Sequence, residues 1–158
     1  MGKKTGPNPT DRAKSGTKRS LLTDGAGVPV GVAVSGANTH DMRLVEATLD
    51  SIPVERPAPT SRKRQHFCAD KGYDYSAVRE VVARSSYVAH IKGRGQEEVE
   101  RKTVPKYRAR RWVVERTHSW MNRFRRLLIR WEKKVDNYLA FVHLACAWIA
   151  FRAAEVFG

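Results

Sequence analysis

The chain has 158 residues, of which 41% are hydrophobic and 29% are charged. This composition excludes a disordered chain, and the length suits one domain whose core buries roughly 68–70% of the unfolded surface. The formal net charge of +14 says nothing about the fold, but it favours a polyanionic partner.

The cysteines and the apolar runs exclude further classes. Cys68 and Cys146 cannot build a disulfide framework, and neither belongs to a Cys-x-x-Cys zinc pair. Both lie in apolar runs, so we expect buried thiols in a reducing cytoplasm. The longest apolar run, from Tyr138 to Phe151, is too short to cross a bilayer, and no signal peptide is visible.

Residues 1–19 are basic and rich in glycine, proline and serine, with almost no large apolar side chain. Such a segment cannot nucleate a core, so it is predicted to be a flexible arm before a domain over residues 20–158. Two β-like runs then flank Asp24-Gly25, which predicts a hairpin.

A helix is predicted from Asn38, as its N-cap, through Leu49. His66 to Ala69 and Tyr87 to Ile91 read as strands, separated by a helix from Asp74 to Arg84. After them, Pro105 suits the start of one long helix, whose apolar face recurs every three to four residues as far as Trp131.

A last helix is expected from Asp136, with Leu139, Val142 and Ile149 inside. The resulting order, ββα-βα-β-αα, predicts an α/β layer with additional C-terminal helices.

The basic residues are concentrated in one segment. Residues 101–134 contain thirteen Lys and Arg but only two acids, Glu115 and Glu132. Like charges at helical spacing destabilise an isolated helix, so an anionic partner explains this segment better than a merely solvated face does. We expect sequence-tolerant contacts to the phosphates of duplex DNA. The candidate DNA-binding residues are Arg108, Arg110, Arg111, Arg116, Arg123, Arg125, Arg126 and Arg130.

Two acids are candidates for metal chemistry. Asp70 ends a strand, where a carboxylate is accessible and held by a rigid element, although it could simply form a turn. Glu115 is a lone acid among arginines, and pairing with Arg111 or Arg116 is its ordinary explanation.

Several motifs occur in an order that is similar to the DDE transposases of bacterial insertion sequences, in the IS-five-like group of the IS-four-like class. They include Asn8-Pro9-Thr10-Asp11-Arg12, Leu22-Thr23-Asp24-Gly25, Ala37-Asn38-Thr39-His40-Asp41, Ala69-Asp70-Lys71-Gly72-Tyr73-Asp74 and Arg111-Trp112-Val113-Val114-Glu115-Arg116-Thr117. The resemblance runs over nearly the whole chain.

The resemblance implies a ribonuclease-H-like catalytic fold that cleaves transposon ends and transfers strands, using two Mg²⁺ or Mn²⁺ ions held by three acids. Asp70 would be the second acid and Glu115 the third. The wider class places Tyr and Lys around that Glu, where this chain has Arg108 and Asn122. It also implies a bacterial, nucleoid-associated protein that binds transposon ends and target DNA, as a homo-oligomer or with an upstream transposase fragment.

In the family, the first Asp lies on a central strand upstream of the basic segment with which this chain begins. We therefore expect an N-terminally truncated domain with an incomplete metal site, inactive alone. Asp11, Asp24 and Asp41 could each be proposed as substitutes, although each has a local explanation in an arm, a hairpin tip or a helix start.

Two other functions remain open on the sequence alone. The chain could be a non-catalytic DNA-binding fragment that inhibits or assembles with full-length transposase. A generic basic nucleic-acid-binding protein would explain the charge, but not Asp70 and Glu115 within family motifs.

Overall fold

A computed structural model describes residues 4–12, 14–93, 103 and 112–155. The strands are β1 (Gly6–Pro7), β2 (Ser15–Thr23), β3 (Pro29–Gly36), β4 (Gln65–Ala69) and β5 (Tyr87–Ile91). The helices are α1 (Val45–Asp50), α2 (Ser76–Arg84), α3 (Trp112–Asn122), α4 (Arg125–Leu128) and α5 (Val135–Ala153). Short 3-10 helices cover Asp41–Leu44 and Lys71–Tyr73. The chain divides into two compact units, one comprising residues 1–53 and 113–158 and the other residues 54–112.

The first unit is built on an antiparallel sheet in the order β1-β2-β3. The predicted hairpin is confirmed, because β2 and β3 pair from Thr17 opposite Gly36 to Leu22 opposite Gly31. Asp24 shapes the connecting turn, since its Oδ1 accepts hydrogen bonds from the amides of Ala26 and Val28, both at 2.9 Å.

Helix α5 supplies half of the buried residues in the main core cluster of this unit. Tyr138, Val142, Ala145 and Ile149 recur at helical spacing and are all buried. They join a cluster that also contains Val32, Val34, Met121 and Leu127. The sheet of the first unit therefore packs its β3 face against the C-terminal helices.

The described residues of the second unit include a two-stranded parallel sheet and helix α2. β4 and β5 pair in register from Gln65 opposite Tyr87 to Ala69 opposite Ile91. Phe67 and Ile91 are buried on the strands, and Val78 and Val82 are buried on α2. Because a parallel pair needs a crossover, α2 connects the strands and covers one face. Both predicted strands and the helix between them are confirmed.

The single helix predicted from Pro105 to Trp131 is wrong over its described part. α3 ends at Asn122, and Phe124 is extended before α4 begins. Met121 and Leu127 are both buried but lie six residues apart, which would put them about 120° apart around a continuous helix. The break lets both side chains reach the core. Residues 104–111 lie outside the described part of the chain.

Two other boundaries differ from expectation. β2 begins at Ser15, within the segment predicted to be an arm, because pairing with β3 orders a polar strand that has no hydrophobic signal of its own. The 3-10 helix before α1 is capped by His40 and not by Asn38. The architecture is a mixed α/β one, as predicted. None of the described helices is long and apolar enough to cross a membrane.

Candidate catalytic acids and nucleic-acid interface

Asp70 directly follows β4 and is exposed. Its Oδ1 accepts a hydrogen bond from the amide of Gly72 at 2.8 Å. A Cβ atom on Gly72 would lie 2.9 Å from that oxygen, so the glycine permits the close approach. This contact orients the carboxylate through Oδ1, and Oδ2 accepts no hydrogen bond from any described residue.

The local explanation for Asp70 therefore holds, because Asp70 does form the turn. Asp74, four residues later, pairs with Arg79 at 2.7 Å. Forming a turn and binding a metal are compatible for Asp70, since the turn uses only one of its two carboxylate oxygens.

Glu115 lies in the first turn of α3 and is exposed. Its ordinary explanation, an ion pair with Arg116, is not found, because the Arg116 guanidinium donates to the carbonyl oxygen of Ala26. Within the described residues, Glu115 makes neither a hydrogen bond nor an ion pair. Arg111, the other proposed partner, lies outside them. No described residue therefore occupies either oxygen of this exposed carboxylate.

Asp70 and Glu115 fit a hard divalent cation by the chemistry of their donors, since carboxylate oxygen is the ligand that Mg²⁺ and Mn²⁺ prefer. The two residues belong to different units. No group of three potential metal ligands occurs among the residues that the structure describes. Their sharing of one site stays a prediction.

The three alternative acids each make a local contact in the first unit. Asp11 pairs with Lys14 at 3.6 Å, and Asp41 pairs with Lys18 at 3.0 Å. Asp24 accepts the two turn amides described above. Each carboxylate therefore has a structural partner within the first unit.

Three of the proposed DNA-binding arginines are bound to the first unit. Arg116 stacks over the Trp120 ring at 4.8 Å. Arg126 pairs with Glu132 at 2.7 Å, and Arg130 donates to the Thr17 hydroxyl at 2.8 Å. These contacts hold α3, α4 and the following loop in place, so they explain three of the positive charges without a phosphate.

Arg123 and Arg125 lie at the break between α3 and α4, and both are exposed. No described residue accepts a side-chain hydrogen bond from either one. Among the five proposed arginines that the structure describes, these two are the best placed for phosphate. Arg108, Arg110 and Arg111 lie outside the described residues.

Some contacts in this region could not be found by sequence reasoning. Asn122, which stands where the wider class has Lys, accepts a 2.6 Å hydrogen bond from Arg19 on β2. The only feature of the sequence that pointed to Arg19 was its place in the basic run before the predicted hairpin. His66 and His90 lie on neighbouring strands and belong to no motif that the sequence analysis used. Nδ1 of His66 lies 2.7 Å from Nε2 of His90.

Burial changes the acid–base properties of several side chains. The expectation that Cys68 is buried is wrong, because Cys68 is exposed. Side chains alternate between the two faces of β4, so Cys68 lies on the face away from the buried Phe67. Cys146 is half-buried, and this burial raises the pKa of its thiol to about 11. Burial, followed by the charge of Arg19, lowers the pKa of His118, whereas the hydrogen bond from Arg126 lowers the pKa of Glu132.

Comparisons with known proteins agree with the motifs. Residues 2–150 match the family model of the transposase DDE domain. A Burkholderia cepacia protein, described as an inferred transposase for insertion sequence element IS402, is 39% identical over 165 residues, which cover 96% of this chain and 72% of the relative. An inferred transposase for element IS6501 from Brucella ovis is 27% identical over 142 residues, covering 86% and 98%. No solved structure is significantly similar. This chain therefore belongs to the DDE transposase domain family of insertion-sequence transposases.

Proposed function

We propose that this chain contributes Asp70 and Glu115 as metal-holding carboxylates to DNA cleavage and strand transfer at insertion-sequence ends. The observation that carries this proposal is the state of Glu115, an exposed acid beside a basic segment with no ion pair to any described residue. An acid that no described residue pairs with is unfavourable for phosphate binding there, so a role with a cation accounts for it better.

The two carboxylates would act together. Asp70 would bind a cation through the oxygen that the Gly72 amide leaves available, which fixes the ligand relative to β4. Glu115 would bind from the first turn of α3. When bound, a pair of divalent cations supplies a stronger oxygen nucleophile and charge stabilisation for the leaving oxygen. Arg123 and Arg125 would hold the phosphate backbone of the same DNA.

We propose in addition that a third carboxylate comes from an upstream transposase segment or another subunit. Support comes from Asp11, Asp24 and Asp41, because each already has a partner within the first unit. Two carboxylates hold a pair of metals poorly, so the chain by itself is expected to bind DNA without cleaving it. A DNA-binding fragment that assembles with full-length transposase would behave in the same way.

Mn²⁺ binding, followed by electron paramagnetic resonance, tests the acids without relying on activity. Asp70→Asn and Glu115→Gln should each weaken binding at least about tenfold, whereas the matched changes Asp74→Asn and Glu46→Gln should not. Equal affinity in all four variants would remove Asp70 and Glu115 from the metal site.

Nicking of supercoiled plasmid tests the completeness of the site. The chain alone, supplied with Mg²⁺ or Mn²⁺, should leave the plasmid intact while still retarding it on a gel. Metal-dependent nicking that both Asp70→Asn and Glu115→Gln abolish would show a complete site in this chain and would overturn the incomplete-site proposal.

A further inference from the structure

One face of the parallel sheet in the second unit carries an unusual set of side chains. His66 and Cys68 on β4 and Val88 and His90 on β5 are all exposed. Alternate side chains of a strand share a face, and the register places Cys68 opposite His90. α2 packs against β5, and Phe67 and Ile91 are buried. The two histidines therefore stand on the face that solvent reaches.

The two imidazole rings are in direct contact. Nδ1 of His66 lies 2.7 Å from Nε2 of His90, and the ring centroids are 4.9 Å apart. At this distance one nitrogen donates its proton and the other accepts it through a lone pair. A cation that displaces this shared proton would find two nitrogen lone pairs close together, and both rings would turn to direct them at the ion.

We propose that His66 and His90 form a two-imidazole site for a borderline divalent transition-metal ion of the Zn²⁺ and Ni²⁺ class. Imidazole nitrogen suits these ions, whereas Mg²⁺ and Mn²⁺ prefer oxygen. This ligand chemistry separates the site from the carboxylates of Asp70 and Glu115. With no third ligand grouped there among the described residues, water fills the remaining positions.

The geometry needs only a small adjustment. Zn–N bonds of about 2.0–2.1 Å in a tetrahedral site place two ligand nitrogens roughly 3.3 Å apart. The present separation is 2.7 Å, so the rings must open by roughly 0.6 Å and each must turn by about 35° to point its nitrogen at the ion. Both rings are exposed, and a rotation about χ2 supplies this movement without repacking of Phe67 or Ile91.

The bound ion would fasten β4 to β5. An isolated pair of strands is marginal in stability, and two strands make up the described part of this sheet. A ligand that binds only the folded state stabilises that state by mass action. Because Asp70 directly follows β4, the same ion would also steady the strand that carries this carboxylate.

Calorimetric titration of the untagged full chain with Zn²⁺ or Ni²⁺, in excess Mg²⁺ to saturate oxygen sites, tests the proposal. We expect one ion per chain, and His66→Ala and His90→Ala should each weaken binding at least about tenfold. His143→Ala removes an exposed histidine from α5 and Cys68→Ser removes the nearby thiol, and both should bind as the parent chain does. Thermal melting of the parent chain should shift upward with added metal.

Two results would overturn the assignment. Unchanged affinity in His66→Ala or in His90→Ala would show that the ion binds elsewhere. A loss in Cys68→Ser as large as that in His66→Ala would show a thiolate site instead of an imidazole pair. Far-UV circular dichroism of each variant, together with His66→Gln and His90→Gln as milder changes, separates loss of the ligand from loss of the fold.

Discussion

The Thr117 hydroxyl donates a 2.7 Å hydrogen bond to the carbonyl oxygen of Gly27, which lies 90 residues earlier in the chain. Thr117 is fully buried on α3, and its neighbour Arg116 donates to Ala26 in the same turn. The helix that carries Glu115 is therefore fastened to the tip of the β2–β3 hairpin by two consecutive side chains. This connection fixes the start of α3 within the first unit.

Replacing Thr117 with Val keeps the shape of the side chain and removes the hydroxyl. The Gly27 carbonyl then loses a buried partner, so we expect the free energy of unfolding to fall by about 1–3 kcal/mol. Urea denaturation followed by circular dichroism measures this change. Ser119→Ala, on the exposed side of the same helix, should change stability by less than about 0.5 kcal/mol. An equal decrease in both variants would contradict the role of the Gly27 contact.

Gly27 itself has a backbone conformation that other residues rarely adopt, with φ at 88°. A Cβ atom there would lie 2.9 Å from Nη2 of Arg116 and 3.1 Å from Oγ1 of Thr117. Gly27→Ala should therefore lower the free energy of unfolding by about 1–3 kcal/mol. Gly25→Ala is the matched control, because a Cβ atom on Gly25 meets nothing within 4 Å. If both variants unfold at the same urea concentration, the close approach does not matter.

The exposed arginines at the α3–α4 break make a prediction about DNA. The logarithm of DNA affinity falls linearly with the logarithm of salt concentration. Each arginine that neutralises one phosphate makes this slope steeper by about 0.9. Arg123→Ala combined with Arg125→Ala should thus flatten the slope by about 1.8 if each arginine binds one phosphate. Fluorescence anisotropy with a labelled duplex at several salt concentrations measures it.

A charge-matched control for this pair is Arg43→Ala combined with Arg152→Ala, since both of these arginines are exposed and lie outside residues 101–134. The slope should stay that of the parent chain. Arg126→Ala behaves differently, because it also releases Glu132 from its ion pair, and its main effect is expected on stability. Equal flattening by the pair and by its control would place no DNA surface at the break.

Local patterns in the sequence predicted the hairpin, both parallel strands and α2, because side-chain periodicity and turn residues act over a few positions. The break at Phe124 escaped prediction, since it depends on where Met121 and Leu127 pack in the folded core. Cys68 was misjudged because its apolar neighbours lie on both faces of a strand. Contacts between α3 and the hairpin tip had no local signal at all.

The same limit applies to the candidate site. Motifs in the sequence made Asp70 and Glu115 candidates, and the composition drew attention to the basic segment. It could not show that Arg130 is held by Thr17, 113 residues away, whereas Arg123 remains exposed. Tertiary contacts decide which arginines stabilise the fold and which face solvent. The sequence alone does not distinguish between these arginines.

The two thiols should differ in reactivity. Cys68 is exposed, whereas Cys146 is half-buried with a pKa raised to about 11 by burial. Only the thiolate attacks an alkylating reagent, so iodoacetamide at pH 8 should modify Cys68 first. Peptide mass spectrometry over time measures both sites. In Cys68→Ser, the native chain should take up label only slowly, and equal rates at the two positions would contradict the burial of Cys146.

The last prediction concerns the dependence of stability on pH near neutrality. Burial, followed by the positive charge of Arg19, lowers the pKa of His118 below its ordinary value of 6.5. Between the folded pKa and 6.5, the unfolded chain binds a proton at this residue and the folded chain does not. Stability from neutral His118 is therefore fully present above pH 6.5 and is lost as the pH falls through the folded pKa.

His118→Gln removes this titration and leaves every other histidine in place. Urea midpoints measured between pH 8 and pH 5 should fall less steeply in the variant than in the parent chain. This range lies above the titration of Glu132, whose pKa the Arg126 hydrogen bond lowers from 4.5, so the difference reports on His118. A parent chain that gains stability relative to His118→Gln as the pH falls would reverse the sign and show that the folded state prefers the charged imidazole.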